Sequence, residues 1–169
     1  MLTKNDLIES ILNEGRICIH LFERIPEGGL DYRPTPEQRS TLELLRYLSH
    51  DIISSVEGMV NGNWDTYDAH LEASKTLKAE DFPRAMEKQM QEIKTILEAF
   101  SDEEFMTKEA KVPWGETHKL GRALLEMPYR SIVAYRMQLF LYAKQAGNDK
   151  LNTANNWNGV DWKPKEKEE

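Results

Sequence analysis

The sequence predicts an all-α protein built as an antiparallel four-helix bundle. Four long segments repeat apolar residues at helical spacing, and no segment alternates apolar and polar residues as a half-buried strand would. Helices of about 20 to 28 residues with one apolar face bury that face against one another, and this packing is typical of a bundle. At 169 residues, 40% of them hydrophobic, the chain is long enough for a single buried core.

The first two helices are predicted from their caps. Thr3 and Asp6 can cap a helix over residues 3–25, which Pro26 then stops. Ser40 and Glu43 form a capping box, because each side chain can bind a backbone N–H group that the first helical turn leaves free. The second predicted helix therefore runs from there to about residue 60.

The later helices are predicted from prolines and apolar spacing. Asp81 serves as a cap ahead of a first-turn proline, Pro83, and opens a helix over residues 82–100. A short helix over residues 68–77 is expected before it. The last helix covers residues 118–146 and contains Pro128, which removes one backbone hydrogen bond and favours a kink. Its inner stripe is predicted to be Leu120, Leu124, Met127, Ser131, Ala134, Met137 and Leu141.

The domain organisation is predicted to be simple. Residues 1–147 form the bundle, and residues 148–169 form a C-terminal tail that is partly packed or disordered. Trp157 and Trp162 are the candidates for pinning this tail to the body, while its charged end is expected to fray.

Composition excludes several classes of function. The net charge is −7 and the basic residues are scattered, whereas nucleic-acid binding needs a basic surface, so no nucleic-acid partner is expected. No apolar run reaches the roughly 20 residues that span a bilayer, and the N-terminus lacks a signal-peptide pattern, so we expect a cytoplasmic protein without a membrane partner. The single cysteine, Cys18, lies among apolar residues and is interpreted as core.

Several short motifs occur in an order that resembles the DinB-like (DinB/YfiT) superfamily. They are Tyr32-Arg33-Pro34, the cap Ser40, the mid-helix His50, the pair Arg136 and Gln138, and Gly147 after the last helix. The resemblance covers nearly the whole chain up to Gly147. It implies a four-helix bundle, a homodimer, and often a divalent metal held by three histidines. In that family one histidine comes from helix 2 and two come from a His-x-x-x-His-Arg-x-Gln run on the last helix.

This chain departs from the family pattern at the metal site. The two histidines of the last helix are replaced by Ser131 and Tyr135. Residues four apart on a helix face the same way, but serine is a poor ligand for zinc, and tyrosine must first lose a proton of pKa about 10. Glu126, Asp51 and His118 lie nearby but not at ligand positions. The sequence therefore predicts no metal cofactor, with His50 as the one remaining candidate ligand for zinc or nickel.

Three functions remain open, and whether the protein is an enzyme is left undecided. The first is a family member that binds a small molecule, without a metal, in a pocket where His50, Ser131, Tyr135 and Met127 converge. The second is a metal-dependent transferase with an altered ligand set; the resemblance implies a low-molecular-weight thiol such as bacillithiol or mycothiol for that activity. The third is a structural or interaction protein with a closed core. Arg136 and Gln138 are expected to brace the bundle.

Overall fold

The computed structural model describes residues 3–162, and its architecture is all-α apart from one short hairpin. The helices are α1 (Lys4–Phe22), α2 (Thr41–Asn61), α3 (Tyr67–Lys75), α4 (Phe82–Glu98), α5 (Asp102–Thr107), α6 (Leu120–Leu124), α7 (Arg130–Gln145) and α8 (Thr153–Asn158). Short 3-10 turns lie at Gly29–Asp31 and Ala79–Asp81. The predicted fold class is confirmed. Within the part of the chain described, no helix is apolar over a bilayer-spanning length.

Four helical segments form the bundle: α1, α2, α4 and the α6–α7 run. Both α1 and α2 pack against α4 and against α7. The ammonium group of Lys4 binds the carbonyl of Phe100, and the ring of Phe22 lies 5.5 Å from that of Phe82, so α1 and α4 are antiparallel. Leucine, isoleucine, methionine and phenylalanine side chains from all four segments fill the core, and Cys18 is buried among them.

The helix starts were predicted correctly where a side chain caps the backbone. Thr3 with Asp6 and Ser40 with Glu43 both form capping boxes, which confirms these two predictions. The prediction for Asp81 is wrong, because its side chain makes no cap hydrogen bond. Asp81 ends a 3-10 turn with a helical backbone conformation, whereas a capping side chain needs an extended one.

A two-stranded antiparallel hairpin precedes the last helix and was not predicted. Strand β1 (Glu109–Lys111) pairs with β2 (Thr117–Lys119), and Ala110 lies opposite His118. Strands of three residues are too short to show an alternating pattern, which is why the sequence predicted a helix from His118 onward.

A π-helical segment, Leu125–Tyr129, joins α6 to α7 and contains Pro128. A π turn holds one residue more than an α turn, so every side chain that follows is rotated about the helix axis. The predicted inner stripe is therefore wrong beyond Pro128, since Ala134 and Leu141 are exposed. The buried positions of α7 are instead Ile132, Arg136, Leu139, Tyr142 and Ala143.

The described part of the C-terminal segment folds back onto α1. Helix α8 packs against α1 and α7, and Asn155 and Asn156 are buried there. Of the two predicted anchors, Trp157 contacts the bundle, because the Arg136 guanidinium lies 5.3 Å from the centroid of its ring, although the side chain is 59% exposed. Trp162 is 65% exposed. The buried contacts are made by the two asparagines, whose amides both donate and accept hydrogen bonds. Residues 163–169, where we predicted fraying, lie outside the described residues.

Candidate functional site

Ser131 and Tyr135 lie one turn apart on α7 and face the middle of α2. With Met127 they line a cavity of about 650 Å³. We call it the Asp51 cavity; its lining is Tyr47, Asp51, Trp114, Glu116, Glu126, Met127, Arg130, Ser131, Ala134 and Tyr135. Three of the four predicted pocket residues, Met127, Ser131 and Tyr135, are thus brought together.

A carboxylate occupies the position where we predicted a histidine. Asp51 is only 3% exposed, and the Ser131 hydroxyl donates a hydrogen bond to its Oδ2 atom. Tyr47 stands one turn before Asp51 on α2, and its ring lies 4.8 Å from that of Tyr135 in an edge-to-face arrangement. The pairs Tyr47/Asp51 and Ser131/Tyr135 therefore face each other across antiparallel helices.

Neither of the two arginines described beside this cavity pairs with Asp51. The guanidinium of Arg39 lies 4.0 Å from the centroid of the Tyr47 ring, and Arg130 pairs with Glu126 at 2.5 Å. Burial, followed by the charge of Asp51, raises the pKa of Tyr47 well above its ordinary value. The Tyr47 hydroxyl therefore keeps its proton, and Asp51 is a buried acceptor surrounded by hydroxyl donors.

His50 lies on another side of α2, so its predicted convergence with Ser131 and Tyr135 is wrong. Neighbouring helical residues point about 100° apart; Asp51 is hydrogen-bonded to Ser131 of α7, whereas His50 lines a different cavity, bordered by α3 and α4. The imidazole is 3% exposed and packs edge-on against the rings of Tyr47 and Tyr67, at 5.5 Å and 5.8 Å. Burial lowers its pKa, so the ring is neutral. A Ser–His nucleophile pair is consequently not formed.

The donor set of the Asp51 cavity does not fit the three-histidine metal site implied by the resemblance. A carboxylate and three hydroxyls are hard ligands, whereas imidazole nitrogens suit zinc and nickel. Among residues 3–162, no three histidine, cysteine, aspartate or glutamate side chains lie close enough together to hold a metal ion. His118, one of the neighbours considered, lies 3.1 Å from Glu116 instead.

Arg136 and Gln138 point away from the Asp51 cavity, as expected for bracing residues. Arg136 is 1% exposed and donates to the Glu14 carboxylate at 2.5 Å and to the backbone and side chain of Asn156. Gln138 donates to the hydroxyl of Tyr142 at 2.6 Å. This network ties α1, α7 and α8 together behind the site.

Sequence reasoning overlooked Tyr47 and set Asp51 aside. A signal was present, because Tyr47 and Asp51 are four residues apart on one helix face, the same spacing as Ser131 and Tyr135. Trp114, at the cavity edge, could not have been placed there, since it belongs to the turn between β1 and β2.

Comparison with known proteins gives similarity at the level of structure. No family model matches the sequence, and no curated protein matches it. A DinB-like protein from Bacillus subtilis, YjoA, has a TM-score of 0.64 and 20% identity, over 83% of this chain and 91% of that one. A protein from Exiguobacterium sibiricum, provisionally assigned to the DinB family, has a TM-score of 0.63 and 19% identity, over 89% of this chain and 95% of that one. The chain therefore has the fold of DinB-like proteins, as the resemblance implied.

Proposed function

We propose that this chain is a divergent DinB-like protein that binds a small organic cation, without a metal, in the Asp51 cavity. The observation that carries the proposal is the buried Asp51 carboxylate, which faces a cavity of about 650 Å³ and has only a hydroxyl, that of Ser131, as its hydrogen-bond donor among the described contacts. Neutral hydroxyl donors such as Ser131 offset only part of the cost of a buried charge, and a partner of opposite charge offsets more of it. An amine bound in the cavity would supply that charge.

The walls of the cavity suit a ligand that also has an apolar part. Trp114, Met127 and Tyr135 offer aromatic and thioether surface next to the carboxylate. Aromatic faces attract cations as well as apolar groups, which adds to the pull of Asp51 on an amine. The ligand class that follows is a small primary amine with an aromatic or aliphatic body.

The test is a calorimetric titration of the full chain with phenethylamine and with phenethyl alcohol. These probes have the same shape, but only the amine carries a charge. We expect the amine to bind at least about tenfold more tightly, because one charged contact inside the cavity contributes roughly 1.4 kcal/mol or more. In Asp51→Asn this preference should disappear, whereas Asp68→Asn, which removes an exposed carboxylate outside the cavity lining, should keep it.

The two alternative functions, a metal-dependent transferase and a protein with a closed core, predict different binding results. Binding of zinc or nickel by the wild-type chain, dependent on His50, would support the metal-dependent transferase and contradict our proposal. Equal and negligible binding of both probes would favour a protein whose interior takes no ligand. The homodimer implied by the resemblance is proposed as well, and sedimentation of the purified chain would test it.

A further inference from the structure

A second cavity lies on the other side of α2, between α2, α3 and α4. Its volume is about 480 Å³, and we call it the His50 cavity. Its walls include His50, Ile53 and Glu57 from α2, His70 and Ala73 from α3, and Ala85, Lys88, Gln89, Glu92 and Ile96 from α4. Among the residues described, the two cavities share none of their lining.

His50 brings an unused polar group to this cavity. Its side chain lines the wall, it is 3% exposed, and within residues 3–162 neither ring nitrogen has a hydrogen-bond partner. A buried polar atom without a partner costs about 1 to 3 kcal/mol, and native proteins satisfy the large majority of such atoms. A neutral imidazole offers one donor and one acceptor, both of which are available here.

The charged groups of the wall and the amide of Gln89 are already engaged. Glu57 accepts hydrogen bonds from Thr66 at 2.6 Å and lies 2.9 Å from the His70 ring, and Lys88 lies 3.5 Å from Glu92. The side-chain amide of Gln89 binds the backbone of α2: it accepts a hydrogen bond from the Ile53 N–H group and donates one to the Leu48 carbonyl. Lys88 offsets the charge of Glu92, and the Glu57 carboxylate is hydrogen-bonded to Thr66 and lies beside His70, so each charged group of the wall already has a polar partner.

We propose that the His50 cavity binds an uncharged small molecule with an apolar body and one hydroxyl group, whose hydrogen bond goes to a ring nitrogen of His50. Ile53, Ala73, Leu77, Ala85 and Ile96 give the wall its apolar surface. The hydroxyl donates to the basic ring nitrogen, which each neutral tautomer of histidine has. This site is independent of the ligand proposed for the Asp51 cavity.

The first test compares para-propylphenol with para-propylanisole by calorimetric titration of the full chain. The two probes have nearly the same shape, but the ether cannot donate a hydrogen bond. The wild-type chain should bind the phenol roughly fivefold more tightly, which is what one neutral hydrogen bond contributes. Nitrogen NMR of the histidine rings should show the phenol shifting the resonances of His50. Equal affinity for the two probes, or no binding of either, would overturn the proposal.

Two kinds of variant distinguish the contribution of the His50 hydrogen bond to binding from the contribution of the cavity volume. His50→Leu should bind both probes equally, because the apolar walls remain and the nitrogen is gone. Ala85→Phe should weaken both probes at least tenfold by filling the cavity; its matched control is Ala134→Phe, in the lining of the Asp51 cavity, which should leave phenol binding unchanged. Unchanged phenol binding in Ala85→Phe would overturn the site even if His50→Leu failed to fold. Asp51→Asn should also leave phenol binding unchanged, so the two proposals can fail separately.

Discussion

Two adjacent residues of α2, His50 and Asp51, have different surroundings because they point to different sides of the helix. Asp51 faces α7 and receives a hydrogen bond from Ser131, whereas His50 faces α3 and α4 with both ring nitrogens unpartnered within the described chain. The sequence drew attention to His50 because imidazole is the more familiar functional group. The structure gives Asp51 the position opposite Ser131 and leaves His50 at the edge of a separate cavity.

At this scale we predict that His50→Leu stabilises the protein and makes it less sensitive to acid. Leucine removes two unpartnered nitrogens, which should raise the free energy of unfolding by about 1 kcal/mol at pH 8. Burial lowers the pKa of His50 in the folded state, so the unfolded chain binds the proton more readily. Wild-type stability should therefore fall as the pH drops below the ordinary histidine value of 6.5, and the advantage of the variant should grow.

Urea unfolding at a series of pH values from 8 to 5 would measure this effect. His118→Gln is the control, because His118 lies beside Glu116 on the hairpin and has a hydrogen-bond partner. Relative to wild type at the same pH, the control should gain no stability as the pH falls. A constant difference between wild type and His50→Leu at every pH would contradict a lowered pKa for His50.

At the scale of helices, local chemistry was predictable and helix rotation was not. The capping boxes of Thr3 and Ser40 involve residues three apart in sequence, so their side chains and the backbone alone define them. The rotation of α7 depends on how Pro128 is accommodated, and a π turn is one of several ways to do so. That choice depends on packing with α1 and α2, which no local pattern contains. The bundle was therefore predictable, whereas the pairing of Asp51 with Ser131 was not.

The facing helices predict that a metal site can be introduced by two substitutions. In Ser131→His/Tyr135→His, two imidazoles one turn apart on α7 would face the Asp51 carboxylate. Two histidines and one carboxylate form a three-ligand set that zinc and nickel accept, with positions left open. We expect the double variant to bind zinc at least about a hundredfold more tightly than wild type. This ratio corresponds to roughly 2.7 kcal/mol of added binding free energy.

Titration of zinc into the chelator-treated protein would measure the gain. Adding Asp51→Asn to the double variant should reduce zinc affinity by tenfold or more, whereas adding His50→Leu should leave it unchanged, because His50 faces the other cavity. Loss of zinc binding on removal of His50 would show that the imidazole can swing into the Asp51 cavity, contrary to the arrangement described above.

At the scale of the whole molecule, one buried charge joins the two ends of the chain. Arg136 of α7 binds Glu14 of α1 at 2.5 Å, and it donates to Asn156 of α8 at 2.7 Å through the backbone and at 2.6 Å through the side chain. A guanidinium that is 1% exposed depends on these acceptors, because water does not reach it. The C-terminal segment therefore completes the core of the bundle.

We predict that Asn156→Ala lowers the free energy of unfolding by about 1.5 to 3 kcal/mol, the usual contribution of a hydrogen bond to a charged group. Asn158→Ala is the matched control in the same helix; Asn158 is exposed and should change stability by less than about 0.5 kcal/mol. Thermal and urea unfolding of both variants would measure the difference. Equal effects of the two substitutions would contradict the role assigned to Asn156.

The contact between Arg136 and Asn156 also bears on how the protein is made. A chain growing on the ribosome exposes α1, α2 and α4 first, and N-terminal parts generally fold first during synthesis. Here the guanidinium at the centre of α7 lacks two of its three acceptors until residue 156 has been synthesised. We therefore expect the bundle to stay incompletely packed around Arg136 until α8 has been made and has docked on α7.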